Sequence, residues 1–155
     1  MKKHLGILTV MVLIVSVFVA VPALRAAEDV EGCWESVNEQ GKVTAKWNFE
    51  VVNDKLRGKI TNVPGQADST LCDKCTEENG GAEVAKYFNK PIVGTYWAWG
   101  MKKDGDTWKG GRILDSGAGK LYYVKVWIED GKLKLKGSLD KSGFVGKSQT
   151  WRRCQ

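Results

Sequence analysis

From Gly32 to the C-terminus the chain repeats one pattern: apolar and polar residues alternate, and a turn signal then interrupts the run. Period-two alternation puts alternate side chains on opposite faces of an extended strand, and a helix cannot satisfy it. The clearest run sets Val43, Ala45, Trp47, Phe49 and Val51 on one face and Thr44, Lys46, Asn48 and Glu50 on the other. Asn53-Asp54 turns the chain, and Leu56, Gly58 and Ile60 then alternate with Lys55, Arg57 and Lys59. Ile92–Met101 and Thr107–Leu114 flank a turn at 103–106, Leu121–Glu129 and Lys132–Leu139 flank Asp130-Gly131, and Lys147–Cys154 comes last. Asp-Gly is a two-residue hairpin turn by composition. With a short first strand at Gly32–Val37, eight strands are expected.

Eight consecutive strands on short turns predict an all-β fold, a small antiparallel up-and-down barrel whose closure leaves no exposed edge. One connection is long. Pro64 to Pro91 contains Cys72-x-x-Cys75 and then Ala82, Val84, Ala85 and Phe88, the spacing of one or two helical turns. Such a segment is either a binding loop or a disulfide-tied crossing over one barrel end.

The first 27 residues are a different kind of sequence. Lys2 and Lys3 precede an uncharged run from Leu5 to Val21, Pro22 closes it, and Ala23-Leu24-Arg25-Ala26-Ala27 follows. This is the order of a secretory signal peptide, with cleavage expected after Ala26 and after Ala23 as the alternative. An uncleaved membrane anchor is the competing reading. Cleavage predicts a signal at 1–27 and a single barrel domain at 28–155, exported to the periplasm or beyond the cell. Its contact with membrane would be at most peripheral.

Removing the leader takes out Lys2, Lys3 and Arg25 and no acid, so 21 Lys+Arg then face 18 Asp+Glu, a net charge of +3 against +6 for the whole chain. That is no nucleic-acid footprint. The one histidine, His4, leaves with it, and with it goes most familiar acid–base and metal chemistry. The acidic pairs Glu77-Glu78, Asp104/Asp106 and Glu129-Asp130 fall in expected loops and turns. Ser142 and Ser148 lack a recognisable base, and no phosphate-loop, zinc-helix or nucleophile-elbow motif occurs. The expectation is a protein without catalytic residues, metal or cofactor.

Four cysteines in an exported chain argue for two disulfides, with three pairings open. In a closed barrel the first and last strands are neighbours, which favours Cys33 with Cys154 and leaves Cys72 to Cys75. The Cys-x-x-Cys also raises a thiol–disulfide enzyme. Against it stand the missing βαβ surround and the acids Glu77-Glu78, which would raise a thiol pKa.

Seven tryptophans are the strongest compositional signal, at positions 34, 47, 97, 99, 108, 127 and 151. An eight-stranded barrel is just wide enough to be filled by side chains or to hold one small ligand. Either the tryptophans fill it, or inward glycines such as Gly58, Gly110 and Gly137 leave room. If a small apolar or amphipathic ligand is held, Trp97 and Trp99 share a face and are the expected wall, and Arg112 is the expected inward cation. Trp47 and Tyr122 complete the candidate ligand set. A filled barrel would instead suit a structural or adaptor protein of the envelope, with an apolar patch around Tyr123 and Trp127. Lys132, Lys134 and Lys136 on one strand and Lys55, Arg57 and Lys59 on another are read as solvated outer faces, with contact to anionic envelope polymers or lipid headgroups as the alternative.

Trp108-Lys109-Gly110-Gly111-Arg112-Ile113-Leu114-Asp115, then Gly119-Lys120-Leu121-Tyr122, Leu133-Lys134-Leu135-Lys136-Gly137 and Gln149-Thr150-Trp151-Arg152-Arg153, occur in a distinctive order. With Gly32, Trp34, Gly58-Lys59-Ile60 and Pro91-Ile92-Val93-Gly94, the chain resembles the bacterial exported family known as domain of unknown function 2147. It departs at Ser116, where the family usually has Pro, at Lys136, where it has Arg, and in the Cys-x-x-Cys. The resemblance implies a lipocalin-like small barrel and no established activity. On physical grounds Gly110-Gly111 suits a bulge or close strand approach beside Trp108. Gly117 and Gly119 suit a tight turn, and Trp151 with Arg153 suits a stacked plug at one barrel end.

Overall fold

The structure is a computed structural model that describes residues 30–155. The leader, its cleavage point and His4 lie outside the described residues. The alternating runs become β1 (Gly32–Val37), β2 (Val43–Val52), β3 (Lys55–Asn62), β4 (Tyr96–Asp104), β5 (Thr107–Asp115), β6 (Lys120–Glu129), β7 (Lys132–Ser138) and β8 (Gly146–Arg153). Each pairs antiparallel with the next, and Trp34↔Arg153 and Glu35↔Arg152 join β1 to β8 to close the barrel. Two hairpins are set by consecutive residues with positive φ, Asn53 (51°) and Asp54 (59°), then Asp130 (51°) and Gly131 (69°). That geometry matches the twist of the strands it joins.

The lumen row is legible in the register. Trp34 faces Trp47, Phe49 faces Gly58, Val126 faces Leu135 and Leu133 faces Trp151. At the end bearing the turns at 53–54, 105–106 and 130–131, Leu56, Met101, Val126 and Leu133 are fully buried and Trp108 nearly so. Phe49 occupies the space that Gly58 leaves; a methyl there would sit 2.7 Å from Phe49 Cε1. Gly110 and Gly111 divide two tasks. Gly110, at φ 78°, carries the bulge between Trp108 and Gly111. Gly111 lets β4 approach, since an added methyl would lie 2.5 Å from Trp99 O.

Two local expectations are corrected. β4 begins at Tyr96, not Ile92, because Ile92–Thr95 is used to bring the long connection back, with Gly94 N donating to Ile60 O at 2.8 Å. In the turn after β5 only Gly119 has a positive φ, 63°, and Gly117 does not. Asp115 Oδ1 shapes that turn by accepting from Gly117 N at 2.9 Å and Ala118 N at 3.2 Å.

The connection between β3 and β4 carries α1 (Glu77–Ala85), capped by Thr76, whose hydroxyl accepts from Asn79 N at 3.3 Å. Gly81, at φ 80°, kinks it. Cys72 and Cys75 are bonded to each other and fully buried with Val84. Cys72 N and O bond to Lys90 O and Asn89 N at 2.9 and 3.0 Å, tying the two arms of the connection together. The segment therefore lies on the barrel, with α1 against β6. Cys33–Cys154 bridges the first and last strands across 121 residues of chain.

Candidate ligand-binding cavity

At the opposite end, where β1–β2, β3–β4, β5–β6 and β7–β8 are joined, the side chains stop short of filling the lumen. A cavity of about 890 Å³ opens there, within the range of about 300–1,000 Å³ usual for small-molecule sites. Trp47, Trp151 and Leu135 form its floor, and Ile60, Ile92 and Ile113 its apolar wall. The indoles of Trp47 and Trp151 pack with centroids 5.2 Å apart, and Phe49 lies 6.1 Å from each. Below this cluster the barrel is packed, so a ligand could enter from one end only.

Polar groups collect at the mouth. Ser36 and Thr44 hydroxyls bond to one another at 2.8 Å, and Trp151 Nε1 donates to Gln149 Oε1 at 2.8 Å. Tyr122, Gln149 and Lys147 also line the opening. Gly137 sits opposite Lys147 and leaves the space beside Tyr122 free; an added methyl would reach Tyr122 Cβ only at 3.7 Å. The loop after β7 leaves Leu139, Phe144 and Val145 exposed, and Leu139 and Val145 line the mouth.

Of the expected ligand residues, Trp47 and Tyr122 line the cavity, whereas Trp97, Trp99 and Arg112 do not. Trp97 and Trp99 both lie against Tyr87 of the long connection, with centroids 5.5 and 5.3 Å away, and Trp97 Nε1 donates to Ile92 O at 2.7 Å. Burial raises the Tyr87 hydroxyl pKa, with a smaller push from Glu83. Their shared face thus packs under the connection and serves structure. Arg112 pairs with Trp99 and Tyr123 in the sheet, stacks over the Tyr123 ring at 4.2 Å and meets Glu83 at 3.9 Å, outside the lumen. The residues that sequence reasoning missed include Trp151, read there as a plug with Arg153, the apolar wall of Ile60, Ile92 and Ile113, and the polar Gln149 and Lys147. The lumen row of β8 reads Lys147, Gln149, Trp151, and its two polar members concealed its inward direction.

The motif residues separate in the same way. Arg153 stacks over Trp34 at 3.9 Å, not over Trp151, and its guanidinium donates to Glu31 O at 2.6 Å. This closes the end away from the cavity, where Trp34 Nε1 donates to Val30 O at 2.8 Å. Gly119 is crossed by the backbone of Lys74, whose carbonyl carbon would lie 2.8 Å from an added methyl. Tyr123 and Trp127 do not form a bare apolar patch, since Arg112 covers one ring and Lys125 lies 5.7 Å from the other. No cluster of three or more metal-ligating side chains occurs among the described residues.

The closed eight-stranded antiparallel barrel with one short helix is a lipocalin-like fold. A solved structure with this architecture is protein HP1028 from Helicobacter pylori, described as belonging to the lipocalin family. It is 21% identical, with 82% of this chain and 84% of that one aligned at a TM-score of 0.69. The chain itself belongs to the family of uncharacterized proteins conserved in bacteria, domain of unknown function 2147, whose profile matches residues 32–153. No curated protein matches the sequence.

Proposed function

We propose that the protein is an exported, non-enzymatic binding protein that holds one small amphipathic ligand in the open half of its barrel. The observation that carries this reading is the cavity itself, about 890 Å³ with an aromatic floor and a polar rim. Apolar burial on the floor supplies the driving force, and polar groups at the mouth orient what enters. Both disulfides and the leader-like N-terminus support export to an oxidising compartment. The envelope-adaptor reading gains no support at Tyr123 and Trp127, whose rings lie beside Arg112 and Lys125. A thiol–disulfide role is disfavoured because Cys72 and Cys75 are wholly buried and α1 starts after them, with Glu77 and Glu78 in its first turn.

Titration of residues 28–155 with single-chain lipids, followed by tryptophan fluorescence, tests the reading. A saturable change at one ligand per chain is expected, because Trp47 and Trp151 form the floor. A flat response across acids, alcohols and an envelope lipid extract would sink it.

A further inference from the structure

Among the described residues, the rim of the cavity carries three donor groups that no protein acceptor meets. On β8 the lumen-facing row is Trp151, Gln149 and Lys147, paired with Leu133, Leu135 and Gly137 of β7. Trp151 and Leu133 are buried in the core, which fixes the direction of the row and turns Lys147 toward the opening. Gly137 has no side chain; its partner on β6 is Val124, and the side chain nearest its missing Cβ is that of Tyr122, at 3.7 Å. Among the described residues the Lys147 ammonium makes no ion pair and the Tyr122 hydroxyl no hydrogen bond with protein. Gln149 Oε1 already accepts from Trp151, which leaves the amide nitrogen as its free group. One oxygen of the carboxylate that lines the cavity, Asp115 Oδ1, accepts from Gly117 N and Ala118 N, the carboxylate makes no ion pair with Lys147, and Ser36 and Thr44 bond to each other.

We infer that the ligand is a single-headed anionic amphiphile. Its carboxylate or phosphate is received by Lys147, Tyr122 and Gln149, and its apolar body runs down to Trp47 and Trp151. Charge-assisted hydrogen bonds are roughly twice as strong as neutral ones. A neutral head group at this rim would leave the ammonium with water alone, and a cationic one would be repelled. The inference rests on the binding reading above and adds the sign of the head group to it.

The test compares dodecanoate, dodecyl phosphate, dodecanol and dodecylamine by calorimetry, below their micelle concentrations, on disulfide-bonded protein and on Lys147→Gln and Lys147→Arg. The expected order puts an anion about tenfold or more ahead of the alcohol, with the amine weakest. Whether dodecanoate or the phosphate leads identifies which anion the rim suits. Lys147→Gln should bring acid and alcohol to within about twofold of each other, and Lys147→Arg should keep the preference. Lys147 is exposed, and matched thermal melts establish that the variants fold. Equal binding of acid and alcohol by the unmodified protein would overturn the head-group assignment while leaving the binding reading intact. So would equal loss of both in Lys147→Gln. Binding of none of the four would overturn both.

Discussion

Three glycines that line the lumen make opposite predictions. At Gly58 and Gly111 an added methyl would lie 2.7 Å from Phe49 Cε1 and 2.4 Å from Met101 Cγ, in packed core. Gly58→Ala is therefore expected to cost about 1–3 kcal/mol in denaturant unfolding. At Gly137 an added methyl meets only ordinary contact with Tyr122, so Gly137→Ala should leave stability within about 0.5 kcal/mol, while its added bulk narrows the cavity and weakens ligand binding. Loss of fold in Gly137→Ala, or unchanged binding, would contradict the placement of the cavity. Glu35 is the buried acid of the barrel wall, held by Arg152 Nε at 2.8 Å and Lys46 at 3.1 Å. Arg152 first, and Lys46 after it, hold its carboxyl below the usual 4.5. A carboxyl lowered on folding stabilises above its unfolded pKa, and that stability is lost as pH falls through the folded value. The melting temperature should therefore drop as pH falls below about 4.5, and Glu35→Gln should flatten that part of the profile. An identical acid limb in the variant would remove Glu35 from the account.

Among the elements, the two disulfides act over different lengths of chain. Cys33–Cys154 spans 121 residues and Cys72–Cys75 spans 3. Chain-entropy arguments give about 4–5 kcal/mol for the first and about 2 for the second. Paired alanine substitutions should reproduce that order in urea unfolding, and the reverse order would show that the connection, not strand closure, limits stability. All eight strands were legible in the sequence, because alternation and turn residues repeat the same instruction in each hairpin. The connection was not. Its packing depends on Val84 and the cystine meeting the barrel wall, a contact between residues far apart in sequence. The same long-range contact misdirected the reading of Trp97 and Trp99. Their shared face was correctly inferred, but alternation cannot say whether an apolar face looks into the lumen or under a loop that covers the outer wall.

For the whole molecule, the question left by composition was whether the tryptophans fill the barrel. They fill half of it. Trp34 and Trp108 are buried with the packed end, and Trp47 and Trp151 stop midway as a floor. The site above them was only partly readable. Trp47 and Tyr122 lie on alternating apolar runs and could be found, whereas Lys147 and Gln149 look like solvated outer residues until the register of β8 is known. A net charge of +3 over residues 28–155 is at least consistent in sign with an anionic guest. The central claim is that a ligand's apolar end reaches the Trp47–Trp151 floor, and a fatty acid brominated at its terminal carbons measures this directly, because bromine quenches indole only in contact. The account predicts saturable quenching at one equivalent, much reduced in Trp47→Phe/Trp151→Phe, and weaker quenching when the bromines sit next to the carboxylate. Quenching that does not saturate, or that is equal for the two bromine positions, would contradict it.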